Sequence, residues 1–185
     1  MGRISVLSKE ISELIAAGEV IDRPCSVVKE LIENSIDSGA NSITVEIKNG
    51  GVTYIRITDN GCGISESDVP VAFLRHATSK IADKDDLNKI MTLGFRGEAL
   101  ASIAAVSKVE VLTKQSDEEY GTHYIIEGAE EKLFEKSGCP DGTTIIIRDI
   151  FYNVPARLKF LKKDVTEANS VSSIVNKIAL SHPDV

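Results

Sequence analysis

In Ile43-Thr44-Val45-Glu46-Ile47-Lys48, the apolar Ile43, Val45 and Ile47 alternate with the polar Thr44, Glu46 and Lys48. After Asn49-Gly50 the alternation resumes, with Ile55 and Ile57 set against Arg56 and Thr58. Successive side chains of a strand point to opposite faces, so a period of two describes two strands with one apolar face each. Asn-Gly between them reads as a hairpin turn, because both residues accept left-handed backbone. Strands of a doubly wound parallel sheet are covered on both sides and are apolar nearly throughout. These are not, and the pattern predicts a two-layer α/β sandwich.

Working outward, Ile11, Leu14, Ile15 and Gly18 fall at helical spacing, and a second helix is expected from about Pro24, suited to a first turn, to Gly39, a C-terminal stop. Downstream the pattern predicts helices at about 66–75, 97–106 and 166–181, and strands at about 107–114, 120–127 and 142–149. The polar, charged stretch between His76 and Gly94 reads as a lid. No repeat and no low-complexity run divides the chain, so residues 1–185 read as one domain.

At 185 residues, with 42% apolar and 26% charged side chains, the chain has the composition of a globular domain with one core. Its formal net charge of −7 sets the overall field against nucleic acid. Cys25, Cys62 and Cys139 form no CxxC pair, which argues against zinc and fits a reducing compartment, with the thiols expected as packing residues. The N-terminus is charged too early for a signal peptide, and no segment reaches the roughly 20 apolar residues of a membrane span. A soluble, cytoplasmic domain is expected, with no membrane partner.

Three stretches carry chemistry. On the second helix Glu30, Glu33, Asn34 and Asp37 gather on one face, opposite Val28, Leu31, Ile32 and Ile36. Glu30 and Asn34 stand at i and i+4, where a carboxylate can orient a water while an amide oxygen ligates magnesium. Alone, such a face is more often a solvated surface. Asp59-Asn60-Gly61-Cys62-Gly63 follows a strand, and an aspartate there can accept a hydrogen bond from an exocyclic amine while glycines admit a flat base; alone, it is a turn. Gly94-Phe95-Arg96-Gly97-Glu98-Ala99-Leu100 opens an apolar helix whose free N–H groups and dipole suit a triphosphate; alone, it is a capping loop. Neither GxxxxGK[ST] nor a strand followed by GxGxxG occurs, which sets aside Walker and dinucleotide folds.

In this order, with His76-Ala77-Thr78-Ser79-Lys80, Phe151-Tyr152-Asn153-Val154-Pro155-Ala156-Arg157 and Ile15-Ala16-Ala17-Gly18-Glu19-Val20-Ile21, these stretches resemble the split-site (GHKL, or Bergerat-fold) ATPases. Within them they resemble the N-terminal domain of the MutL mismatch-repair family. The resemblance implies an α/β fold with a mixed, mostly antiparallel sheet, helices on one face, and ATP between the layers. It implies Glu30 as general base and Asn34 as magnesium ligand, with Asp59 reading adenine beside Gly61, Gly63 and Thr143. Thr78 and the run Arg96, Gly97, Glu98, Ala99 and Leu100 take the lid and phosphate positions, with a lid at about 76–97.

As a whole the resemblance implies a Mg2+-dependent ATPase switch that dimerises with a second copy on binding ATP and engages a MutS-type mismatch sensor. It binds DNA only weakly, through the full-length protein. It also implies a further domain whose lysine reaches the γ-phosphate, so the 185 residues are expected to be a fragment that turns ATP over slowly. The basic residues Arg148, Arg157, Lys159, Lys162 and Lys163 are a local excess that can meet phosphates or simply be solvated. A type II topoisomerase ATPase domain shares Glu30, Asn34 and Asp59, but the blocks at 94–100 and 151–157 fit it less well. A histidine kinase would need a phosphoacceptor domain upstream. A nucleotide-binding scaffold without turnover stays open at this point.

Overall fold

The computed structural model describes residues 6, 8–78, 93 and 97–185, with residues 9–13 described by backbone only. Helices α1 (Lys9–Val20) and α2 (Pro24–Asp37) precede a hairpin of β1 (Ile43–Lys48) and β2 (Tyr54–Asp59). Then come α3 (Asp68–Ala72), α4 (Ala99–Val106), β3 (Lys108–Lys114), β4 (Gly121–Glu127), β5 (Glu130–Ser137) and β6 (Gly142–Arg148). Two helices, α5 (Pro155–Leu158) and α6 (Asp164–Ser181), close the chain. Among the described residues six strands form one sheet in the order β1-β2-β6-β3-β4-β5, and each neighbouring pair is antiparallel, where a mixed, mostly antiparallel sheet was expected.

The alternation read at Ile43–Thr58 is present as register. Val45 pairs with Ile57 and Ile47 with Ile55, so the apolar side chains of both strands share a face. Ile55, Ile57, Val109, Val111, Ile145 and Ile147 are buried there against Val27, Val28 and Leu31 of α2 and Ile103 and Val106 of α4. Val171 of α6 joins the same core. The other face presents Thr44, Glu46, Arg56 and Glu110, tied by the Arg56–Glu46 pair at 2.8 Å and the Arg148–Glu110 pair at 3.2 Å.

Three local features differ from the sequence reading. The β1–β2 connection is a 3-10 turn at Asn49–Gly51 followed by Val52 and Thr53, because Lys48 pairs with Tyr54 and leaves five residues between them. Strand β5 was not anticipated; its exposed, charged residues flank an edge, where a strand needs no apolar face. The helix expected at 66–75 is a single turn and a half. Most of the expected lid lies outside the described residues. No helix among the described residues is long and apolar enough to cross a membrane.

Candidate functional site

Along the three central strands the buried face changes character. Past Ile55 and Ile57 on β2, Val109 and Val111 on β3, and Ile147 and Ile145 on β6, the next inward positions are Asp59, Thr113 and Thr143. The register pairs Asp59 with Thr143 and Thr143 with Thr113. The period of two that builds the core thus sets three polar side chains in a row at its end.

Asp59 is 8% exposed, and its carboxylate accepts three hydrogen bonds. The Ser35 hydroxyl donates to Oδ2 at 2.7 Å, and the backbone N–H groups of Gly61 and Thr143 donate to Oδ1 at 2.9 and 3.2 Å. A carboxylate offers about four acceptor positions, so one remains for a further donor. The Thr113 hydroxyl, fully buried, accepts from the Ile64 N–H at 2.9 Å and lies 3.1 Å from the Gly142 carbonyl and 3.0 Å from the Thr143 hydroxyl.

A cavity of about 1220 Å³ opens beside this row. Asp59, Thr143, Gly63 and Cys62 line its sheet side. The polar face of α2 forms another part of the lining, where Glu30, Glu33, Asn34 and Asp37 all reach it, as their helical spacing predicted. Lys29 sits at the edge of that face, its Nζ 2.6 Å from Glu33 and 3.3 Å from Glu30. Burial pulls the Lys29 ammonium's pKa down, but the two carboxylates outweigh it and the net shift is upward.

The third wall joins the ends of the expected lid to α4. Thr78, Gly97, Glu98, Ala99 and Leu100 line it. The His76 N–H donates to the Gly97 carbonyl at 3.1 Å, and the His76 ring lies 3.3 Å from Glu98. Gly97 has φ +62°, and a Cβ there would overlap the Ala77 carbonyl, so glycine is required for the two segments to meet. Glu98 makes no side-chain cap to α4, and Ala99 and Leu100 of its first turn, where a helix leaves N–H groups without intrahelical partners, line the cavity.

Of the residues singled out in the sequence, Arg96 lies outside the described set. Gly61 does not line the cavity: its N–H serves Asp59, and its Cα packs on Ser38. Cys62 is exposed at the rim rather than packed, while Cys25 borders the core. Ser35, Lys29 and Thr113 were not singled out, although the inward run Val109, Val111, Thr113 was there to be read.

Residues 23–137 match the family described as histidine kinase-, DNA gyrase B-, and HSP90-like ATPase. The whole chain is 60% identical to the DNA mismatch repair protein MutL of Agathobacter rectalis and 54% identical to that of Caldanaerobacter subterraneus subsp. tengcongensis. It spans 28% and 31% of those two proteins. Among solved structures, the Aquifex aeolicus MutL ATPase domain complexed with ADP superposes with a TM-score of 0.72 at 36% identity, over 90% of this chain and 58% of that one. The N-terminal domain of a DNA repair protein gives 0.78 at 29% identity, over 94% and 50%. The chain belongs to the histidine kinase-, DNA gyrase B- and HSP90-like ATPase family and, within it, is a MutL-type N-terminal ATPase domain.

Proposed function

We propose that this cleft binds ATP with Mg2+ and hydrolyses it, as the nucleotide switch of a MutL-type mismatch-repair protein. One observation carries the reading: Asp59 is a buried carboxylate with three donors in place and one acceptor position left, on the lining of a cleft that also takes in an acid-and-amide helix face. The exocyclic amine of adenine fits that remaining position, with the Thr143 hydroxyl beside it. The ADP complex of the Aquifex aeolicus relative supports a nucleotide ligand.

The α2 face supplies the chemistry. Glu30 takes a proton from a water as its oxygen attacks the γ-phosphorus; the bond to the bridging oxygen breaks and ADP leaves with the electron pair. The Asn34 amide oxygen is a hard donor suited to magnesium, which commonly takes one or two protein oxygens and completes its shell with phosphates and water. When bound, that cation neutralises charge on the phosphates. The first-turn N–H groups of α4 suit the phosphate end of the ligand. On the same reading ATP favours pairing with a second copy, and the full-length protein engages a MutS-type sensor and, weakly, DNA in the cytoplasm.

Titration calorimetry tests the site. The wild-type chain takes up one ATP in magnesium, and Asp59→Asn, which exchanges an acceptor for an amide, abolishes the heat. Equal binding by both proteins removes Asp59 from the base site.

A further inference from the structure

We propose that Arg157 is a positioning residue of the nucleotide site. It seats the end of α1, and with it the wall formed by Ala16, Glu19 and Val20, against the segment that follows β6. The proposal rests on the reading of the cleft given above.

Arg157 itself does not line the cleft. Its Nη1 donates to the carbonyl of Ile21, just past α1, at 3.4 Å. The last carbonyls of a helix lack intrahelical partners and carry partial negative charge, and α1 has no basic residue in its own last turn. Arg157 brings that charge from 136 residues away. Its guanidinium also stands 5.8 Å from the ring centroid of Phe151, within cation–π range. Phe151 is fully buried, with φ +64°, and its N–H donates to Val106 at the end of α4 at 2.6 Å. Two of the helices that wall the cleft, α1 and α4, are therefore held from one short segment, α1 through Arg157 and α4 through Phe151.

Gly18 is what makes room. It is buried in the last turn of α1, and a Cβ there would overlap the Arg157 guanidinium. Its backbone is not in the left-handed region, so an alanine would suit the helix itself better than glycine does. The glycine answers to the arginine rather than to the helix. Lysine is not an equivalent of the arginine, because its ammonium is a compact point charge without the planar, multi-donor fork that reaches the Ile21 carbonyl and the Phe151 ring together.

A double-mutant cycle on the 185-residue chain tests this, with ADP affinity by calorimetry and the thermal midpoint without nucleotide as readouts. Gly18→Ala, Arg157→Ala and Arg157→Lys are each expected to weaken ADP binding about tenfold, and Gly18→Ala adds no further loss to Arg157→Ala. Gly18→Ala lowers Tm by about 2–4 °C beside Arg157 and raises it in the Arg157→Ala background, where the methyl meets no obstacle. Additive losses, a Tm change of the same sign in both backgrounds, or undiminished ADP affinity in all variants overturns the proposal. A wild-type chain that fails to bind ADP overturns the cleft reading and the functional half of the proposal, while the sign of the Tm change still decides the seat.

Discussion

Ser35 on α2 and Asp59 at the end of β2, 24 residues apart, are joined by a 2.7 Å hydrogen bond with both side chains buried. The bond fastens the helix that carries Glu30 and Asn34 to the strand that carries Asp59, so the two halves of the proposed site share one anchor. Ser35→Ala leaves a buried carboxylate one donor short, which costs on the order of 1–3 kcal/mol. We expect a lower denaturation midpoint and weaker ATP binding together. A variant as stable and as tightly binding as wild type would show the bond to be incidental.

Under the proposed function Glu30 and Asn34 act on different steps, so experiment separates them. Glu30→Ala in the intact protein is expected to slow hydrolysis ~100-fold or more with ATP still bound, the scale of losing a positioned base. Unchanged turnover would take the role from Glu30. Asn34→Ala weakens ATP binding in magnesium and leaves it unchanged in chelator, measured by calorimetry in both buffers; equal losses would mark Asn34 as structural.

What the sequence made legible follows from periodicity. The two strands within Ile43–Thr58 and the α2 face were visible because each repeats a period; the strands pair as expected, through a longer turn than Asn-Gly, and the polar α2 side chains share one lining. The row Asp59, Thr113, Thr143 was visible only in part, since it exists through pairing between strands distant in sequence. Ser35 was hidden for a related reason: it lies one turn from the buried Leu31, on the core side of α2, and its partner is on another element. Strand β5 carried no signal, as its charged residues spread over both faces of an exposed edge. The seat of Arg157 on Gly18 joins two blocks whose contact no local pattern encodes.

Thr113 is the hub of the polar row, and its removal should be felt in both fold and site. Thr113→Val keeps the shape but leaves the Ile64 N–H without its acceptor, which costs about 1–3 kcal/mol. It also takes a partner from Thr143. Lower stability and weaker nucleotide binding are expected, and Thr113→Ser, which keeps the hydroxyl, restores binding. Failure of the serine variant to recover affinity would show that the methyl, not the hydroxyl, matters.

Tyr124 gives the fold a dependence on alkaline pH. Its ring is 3% exposed, stacked on Phe73 at 5.5 Å and edge-on to Phe134 at 5.9 Å. Burial first, and then the charge of Glu131 and a hydrogen bond to it, push its phenol up to about 12. The unfolded phenol titrates near 10, so the native state holds its proton where the unfolded chain has released it. The stabilising contribution is complete below about pH 10 and is lost as pH rises towards about 12, because stability falls with pH wherever the native state binds more protons. Thermal midpoints between pH 9 and 12 should drop less steeply for Tyr124→Phe than for wild type. Parallel curves would mean that the phenol ionises as freely in the folded protein as in the unfolded one.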